Sequence, residues 1–196
     1  MTKTALLFLI VLTLAACSIP TYVFDKESQT TGINFTTGKW LLNAVDAPDN
    51  VVELLTKRVR ADFEEVLGTR LSYVPETKGL LLPQKKMELN PSKLTLSNLQ
   101  KGTKHDYFIT IKAAQLKNNY EPLLGNRRNN GDGENVNDVT VEIYDLNTQQ
   151  IVYTQRAIGS TGRAGANGVQ LAKPSSALIL GAYKKIMKDL LKKSVH

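Results

Sequence analysis

The stretch DVTVEIYDLNTQQIVYTQRAI, residues 138–158, decides the fold, because apolar and polar residues alternate along most of it. A period of two is typical of a β-strand that buries one face. The alternation is interrupted at residues 145–149, a polar segment of hairpin-turn length that carries Asp145 and Asn147. The stretch therefore predicts two neighbouring antiparallel strands, at residues 138–145 and 150–158.

Three further segments of strand length precede this hairpin. Residues 106–117 alternate between apolar and polar side chains in the same way. Residues 39–45 form a short apolar run that ends before Pro48, and residues 70–74 form another before Pro75. Together with the hairpin, these segments predict a sheet of about five strands.

Two longer segments have the period of an amphipathic helix. After Asn50, apolar residues recur every three or four positions until Gly68, a residue type that commonly ends helices. Asn50 and Glu53 are spaced as in a capping box, which predicts where this helix starts. Its apolar positions are Val52, Leu55, Val59, Phe63 and Val66. A second helix, capped by a serine, is predicted over residues 175–193, with lysines on its outer face.

The order of these elements predicts the fold class. It runs strand, helix, strand, short helix, three strands, helix; the short helix is expected at residues 92–101, where a strand is the alternative. Two amphipathic helices bury both apolar stripes when they pack on one face of a mixed sheet. The sequence therefore predicts an α/β fold of the α+β two-layer kind, in a single domain at residues 38–196.

The chain begins with the features of an export signal. Lys3 precedes an apolar run at residues 5–12. That run is well short of the roughly 20 residues that span a bilayer as a helix, so it is typical of the central region of a signal peptide.

The end of this signal carries a second motif, Leu14-Ala15-Ala16-Cys17. It resembles the lipobox of bacterial lipoproteins, in which a signal peptidase recognises the three residues before the cysteine. The resemblance implies that Leu14, Ala15 and Ala16 form this recognition site. It also implies that the thiol of Cys17 receives a diacylglyceryl group and that Cys17 becomes the acylated first residue. The alternative is an ordinary secreted protein with a chance cysteine.

The lipobox resemblance implies attachment to a membrane through the N-terminal lipid. Residues 1–16 are then the signal peptide. Residues 17–37, which are polar and lack a sustained period, are expected to form the lipidated N-terminus and tether, with an early strand at the end of this segment as the alternative. Ser18 favours the outer membrane, since an aspartate at that position retains enterobacterial lipoproteins in the inner membrane. We therefore expect an outer-membrane lipoprotein whose domain faces the periplasm.

The second half of the chain carries a further resemblance. Its strands read Asp-Tyr-Phe-Ile-Thr-Ile at residues 106–111, Val-Glu-Ile-Tyr-Asp-Leu-Asn-Thr at residues 141–148 and Ile-Val-Tyr at residues 151–153. This pattern is similar to the periplasmic lipoprotein domains related to the curli secretion protein and to the N-terminal domain of the TolB translocation protein. In that group the turn ends in glycine, where this chain has Gln149. The resemblance implies a mostly non-enzymatic role in pore assembly, envelope machines or the activation of cell-wall synthases.

The chain is basic, with 25 lysines and arginines against 18 acidic residues. Removal of Lys3 with the signal peptide lowers the net charge from +7 to +6, which favours an anionic partner. Because an exported protein rarely meets nucleic acid, we expect no nucleic-acid partner; an anionic lipid or glycan fits better, although solvated lysines explain the same charge. The expected partner contacts are Arg127, Arg128, Arg163, Lys184 and Lys188.

The residue counts exclude several kinds of chemistry. One cysteine and two histidines exclude disulfide frameworks, cysteine-based zinc sites and most histidine-dependent hydrolytic triads. His105 is expected at the surface, and no serine motif is present to pair with it. Trp40 is expected in the core, with a partner anchor as the alternative. No catalytic residue is therefore predicted.

Two polar segments resemble ligand sites only in composition. Residues 159–168 are rich in glycine but lack a Gly-Lys-Ser/Thr sequence, which favours a mobile loop over a phosphate site, with a loop that orders on a partner as the third alternative. Residues 125–138 are rich in oxygen ligands, but their order is not that of a calcium-binding EF-hand loop. We therefore expect neither a metal nor a cofactor.

These observations combine into one functional expectation. The chain is expected to be a non-enzymatic, outer-membrane-anchored periplasmic lipoprotein that binds or scaffolds another envelope component, through a protein partner or self-association. The alternative is a carrier or sensor of an anionic lipid or glycan. An enzyme is the third class, and it requires a pocket with convergent polar groups.

Overall fold

The computed structural model describes residues 20–25, 29–30, 32–77, 87–117, 135–161 and 174–195. Within these ranges the chain forms three α-helices and one mixed sheet of seven strands. The strands are β1 (Pro20–Phe24), β2 (Gln29–Thr30), β3 (Trp40–Leu42), β4 (Leu71–Tyr73), β5 (Tyr107–Lys117), β6 (Val136–Asp145) and β7 (Gln150–Thr161). The helices are α1 (Asp49–Leu67), α2 (Lys93–Thr103) and α3 (Ser175–Lys193).

The sheet has the strand order β1-β7-β6-β5-β3-β4, and β2 pairs with β7 beside β1. Strands β5, β6 and β7 form an antiparallel meander, to which β1 and β2 add antiparallel. Strands β3 and β4 continue the sheet on the other side of β5 in parallel orientation. Helix α1 connects β3 to β4, as parallel neighbours require a crossover.

The alternating pattern of the strands places two apolar layers on opposite faces of the sheet. One layer holds Trp40, Ile109, Val141 and Ile143 against α1 and α3. The other layer is smaller and holds Leu41 and the neighbouring strands' apolar residues against α2. The α/β class and the packing of two main helices on one face are therefore confirmed, and α2 covers part of the other face.

Helix α1 confirms the predicted element and corrects its start. The helix begins after Pro48, and no side chain caps its first N–H groups, so the predicted capping box at Asn50 and Glu53 is wrong. A proline suits this position because its fixed φ favours the turn into the helix. The deepest residues are Val51, Leu55, Val59, Phe63 and Leu67, so the ends of the predicted stripe shift by one residue.

Part of the predicted tether, residues 17–37, is folded, and the early strand expected at its end lies near its start. Strand β1 lies within it and pairs with β7 along all five of its residues. Ile33 and Phe35 are also part of the main core, with 3% and 1% of their surface exposed. Within the described part of the chain, the fold therefore includes Pro20, well before the predicted boundary at residue 38. Among the described residues, no helix is both long enough and apolar enough to cross a membrane.

Candidate functional site

The first strand is held in a notch between β7 and α3. The ring of Tyr22 lies over two glycines: a Cβ atom at Gly181 would stand 2.0 Å from Tyr22 Oη, and one at Gly159 would stand 3.1 Å from Tyr22 Cε1. The Tyr22 hydroxyl also donates to the carbonyl of Ala177 at 3.4 Å. Burial of the ring raises the pKa of Tyr22, so the hydroxyl stays neutral. A residue larger than glycine at position 181 would overlap the ring, whereas at position 159 a Cβ atom would make only a tight contact with it.

Lys185 of α3 holds the same strand from the side. Its ammonium Nζ donates to the carbonyl of Tyr22 at 2.7 Å. The same nitrogen lies 4.9 Å from the centre of the Phe24 ring, within the range of a cation–π interaction. We call these five residues, Tyr22, Phe24, Gly159, Gly181 and Lys185, the N-terminal seam.

An ion cluster fixes the end of β1 on the opposite face of the sheet. Arg156 Nε donates to Asp138 Oδ2 at 2.7 Å, and Arg156 Nη1 donates to Asp25 Oδ2 at 3.0 Å. The Asp138 hydrogen bond is the main reason that the pKa of Arg156 is raised. Because Asp138 is largely buried, its charge requires this partner.

The topology divides the domain into two ends. Pro20 pairs with Thr161, and Val136 pairs with Ser160, so the start of β1, the end of β7 and the start of β6 lie together. The start of α3 lies beside them, since Gln115 Nε2 is 3.1 Å from Ser175 Oγ. We call this the Pro20 end. The opposite end, which we call the hairpin end, holds the β6–β7 turn and the last turn of α3.

The interface between α3 and the sheet is polar at the Pro20 end. Asn137 registers with Gln115 on one side and with Gly159 on the other, which places it on the face of the first turn of α3. It is fully buried, and both polar atoms of its amide lack a hydrogen-bond partner within the described ranges. Leaving such atoms unpaired costs about 1–3 kcal/mol each. Towards the hairpin end, the same interface is apolar.

The predicted lysine contacts lie on the outer face of α3. Lys184 and Lys188 are exposed, and Lys192 continues the row one turn later. None of the three forms an ion pair with another described residue. The row is therefore a solvated strip of positive charge on the face that α3 turns away from the sheet.

The other predicted contacts and the lipidation motif are not part of the described structure. Arg127, Arg128, Arg163 and the run from Leu14 to Cys17 (Leu14, Ala15, Ala16 and Cys17) all lie outside the described residues. Of the glycine-rich stretch at residues 159–168, only Gly159, Ser160 and Thr161 are described, as the end of β7. The structure therefore brings together Lys184 and Lys188 alone among the predicted contacts.

Two aromatic and histidine predictions have clear outcomes. Trp40 is fully buried, stacks on Tyr107 with ring centres 4.2 Å apart, and donates to the Thr37 carbonyl at 3.0 Å, which confirms its place in the core.

His105, expected at the surface, is only 8% exposed, and its Nδ1 atom is buried. Burial is the main reason that the pKa of His105 is lowered. The error arose because a polar residue just before a strand usually lies in an open loop, whereas the backbone N–H of His105 donates to Thr103 Oγ1 at the end of α2.

A buried carboxylate was not anticipated from the sequence. Glu142 is 4% exposed and is hydrogen-bonded by the Tyr144 hydroxyl, and the backbone N–H of Asn90 lies 3.1 Å from both Glu142 Oε2 and Tyr144 Oη. Burial, with the Glu142 hydrogen bond second, raises the pKa of Tyr144. Glu142 occupies a polar position of the alternating strand, and the segment around Asn90, far earlier in the chain, donates a hydrogen bond to it. The one sequence signal was Asn90-Pro91, a turn-forming pair beside a strand.

Within the described ranges, no group of three or more His, Cys, Asp or Glu side chains is placed to bind a metal ion.

No protein-family model matches this chain, and no curated protein matches it.

Three solved structures resemble the fold at low sequence identity. Lipoprotein GNA1162 from Neisseria meningitidis gives a TM-score of 0.48 at 11% identity, over 80% of this chain and 99% of that chain. The PelC dodecamer from Paraburkholderia phytofirmans in space group P6 gives 0.45 at 12% identity, over 91% of this chain and 100% of that chain. A leucine-to-methionine variant of the same dodecamer in space group C2 gives 0.44 at 14% identity, with the same coverage. At these TM-scores and identities, no property of those proteins is transferred to this chain.

Proposed function

We propose that this chain is a non-enzymatic lipoprotein that is anchored in the outer membrane by Cys17 and binds or scaffolds another component of the bacterial envelope. The single observation that carries the proposal is the position of the first strand. Cys17 is separated from β1 by two residues, and β1 is an integral part of the sheet. A lipid on Cys17 would therefore hold the folded domain directly at the membrane.

The residue inventory supports a binding role over catalysis. The one cysteine of the chain is assigned to the lipid, and of its two histidines one ends the chain. The other, His105, is buried between α2 and β5 with a lowered pKa, where it is poorly placed to act on a substrate. We therefore assign the function to surfaces of the domain.

The anchoring part of the proposal is tested with Cys17→Ser, expressed beside the native chain in cells fed an alkyne fatty acid. The native chain should carry the fatty acid and sediment with outer membranes. The variant should carry none and should leave the membrane fraction. A native chain without the label, or a variant that keeps its full membrane association, would contradict the proposal.

The scaffolding part is tested by crosslinking the acylated chain in its native membrane and identifying its partners by mass spectrometry. A discrete envelope protein, or a ladder of crosslinked copies, is the expected result. Recovery of the bare monomer would contradict a scaffold and would favour the second candidate.

The second candidate function is a carrier or sensor of an anionic lipid or glycan. The row of Lys184, Lys188 and Lys192 favours it, because these exposed charges are not neutralised by described acidic neighbours. Electrostatic binding of this kind weakens as salt is added. Salt-sensitive binding of a monomer would therefore separate this candidate from an assembly subunit.

A further inference from the structure

The chain between the lipid site and the fold is very short. Only Ser18 and Ile19 lie between Cys17 and Pro20, so three peptide links separate the two Cα atoms. Even fully extended, they span only about 11 Å. That distance is small beside the domain, since the 12 residues of β7 run for about 40 Å from one end to the other.

The folded strand provides no additional length for this connection. Peeling β1 away would break five residue pairs with β7 and withdraw the Tyr22 ring from its notch. It would also break the Lys185 hydrogen bond to Tyr22 and the Arg156 bond to Asp25. The N-terminal seam therefore makes Pro20 a fixed point of the domain.

The surface around this fixed point suits the headgroup region of a bilayer. Val23 and Leu116 are large aliphatic side chains of which 49% and 50% is exposed. Both lie towards the Pro20 end of the sheet, on β1 and on the last part of β5. The hairpin end carries the polar turn residues Asn147 and Thr148, with one exposed aliphatic side chain, Val195, just after the last turn of α3.

From this geometry we infer that the Pro20 end of the domain contacts the phospholipid headgroups, and that the hairpin end is held away from the membrane for a partner to reach. The inference rests on the proposed lipid at Cys17. It adds an orientation that lipidation alone does not impose, because a long flexible tether would let the domain tumble. Because the N-terminal seam holds β1 in the sheet, a lipid at Cys17 would fix the orientation of the whole domain and leave the hairpin end facing away from the membrane.

The test compares two exposed threonines, Thr21 at the Pro20 end and Thr148 at the hairpin end. Each is replaced by cysteine in the full acylated chain, where the lipid occupies Cys17 and the new thiol is the only free one. A fluorescent label on that thiol is then quenched by nitroxide on the headgroups of phosphatidylethanolamine–phosphatidylglycerol vesicles. Quenching at Thr21 should be several-fold stronger than at Thr148.

A linker variant serves as the control. Inserting about 20 glycine and serine residues between Ile19 and Pro20 provides a mean reach of about 25 Å, so the difference between the two labels should largely disappear while sedimentation with vesicles remains. Equal quenching of the two labels in the original, sedimenting chain would overturn the inference and leave the lipid anchor intact. A chain purified from membranes that carries no lipid and does not sediment would overturn the proposed function itself.

Discussion

At the scale of single residues, Gly181 is the position on which the first strand depends. A methyl group there would overlap the Tyr22 hydroxyl, with 2.0 Å between the atoms. We expect Gly181→Ala to destabilise the domain by about 1–3 kcal/mol, because β1 must shift or leave its notch. Urea unfolding and the rate of proteolysis near Asp25 measure the two effects.

Gly102 provides a matched control for this substitution. It also lies in a helix, α2, but a Cβ atom there has open space around it. Gly102→Ala should leave the domain unchanged or stabilise it by up to about 1 kcal/mol, since alanine favours the helix. If both variants behave alike, the notch does not hold β1.

His105 links the stability of the fold to pH. Burial lowers its pKa from the ordinary value of 6.5, with a nearby positive charge, Lys39, adding to the effect and Asp106 opposing it. The unfolded chain therefore binds a proton that the folded chain resists, and stability falls as the pH drops below about 6.5. The loss of stability between about pH 7.5 and about pH 5 should be smaller in His105→Gln than in the native chain. Urea unfolding at both values tests this, and an unchanged difference would show that His105 is accommodated equally well when charged.

At the scale of elements, the interior of the sheet was predictable and its edge was not. The strands at residues 106–117, 138–145 and 150–158 alternate in sequence with a period of two, and the structure confirms all three, although β5 and β6 bury residues on both faces. Strand β1 spans only five residues at the edge of the sheet, and Thr21 and Val23 face solvent. In the sequence, only the aromatic residues Tyr22 and Phe24 indicate this strand. Their partners Gly159 and Gly181 lie more than 130 residues away in the chain.

The candidate site was predictable only where charge repeats along a helix. The outward lysines of α3 follow from its apolar stripe, whose deepest positions include Ile179, Tyr183 and Ile186. The buried Glu142 was missed because its partner is distant in the chain, at the Asn90 backbone N–H, and the burial of His105 leaves no pattern in the sequence. A period in the sequence indicates which face of one element is apolar, but it does not indicate which distant segment packs over the other face.

The row of Lys184, Lys188 and Lys192 leads to a prediction about binding to anionic surfaces. Reversing two charges with Lys184→Glu and Lys188→Glu should weaken binding to anionic vesicles or acidic glycan by at least about 10-fold at low salt, since each surface lysine contributes about 1 kcal/mol. Lys93→Glu with Lys101→Glu on α2 changes the net charge equally but alters the other face of the sheet. Equal losses in the two double variants would show that only the net charge of the chain matters.

At the scale of the whole molecule, the short connection and the N-terminal seam would make the proposed lipid site and the fold one unit. Strand β1, within the segment that was expected to hold the tether, belongs to the sheet, and only Ser18 and Ile19 lie between Cys17 and Pro20. In a chain built in this way, a lipid at Cys17 would hold the same surfaces of the domain at one distance from the membrane. That arrangement suits a scaffold that must meet its partner repeatedly in one orientation.

The most direct test of the central claim is the mass of the N-terminal peptide, measured after the protein is purified from its own outer membrane. We predict that the mature chain begins at Cys17 and carries a diacylglyceryl group on sulfur with a further acyl chain on its amine. A mature chain that begins elsewhere, or that carries an unmodified Cys17 and is recovered without membrane, would contradict the account.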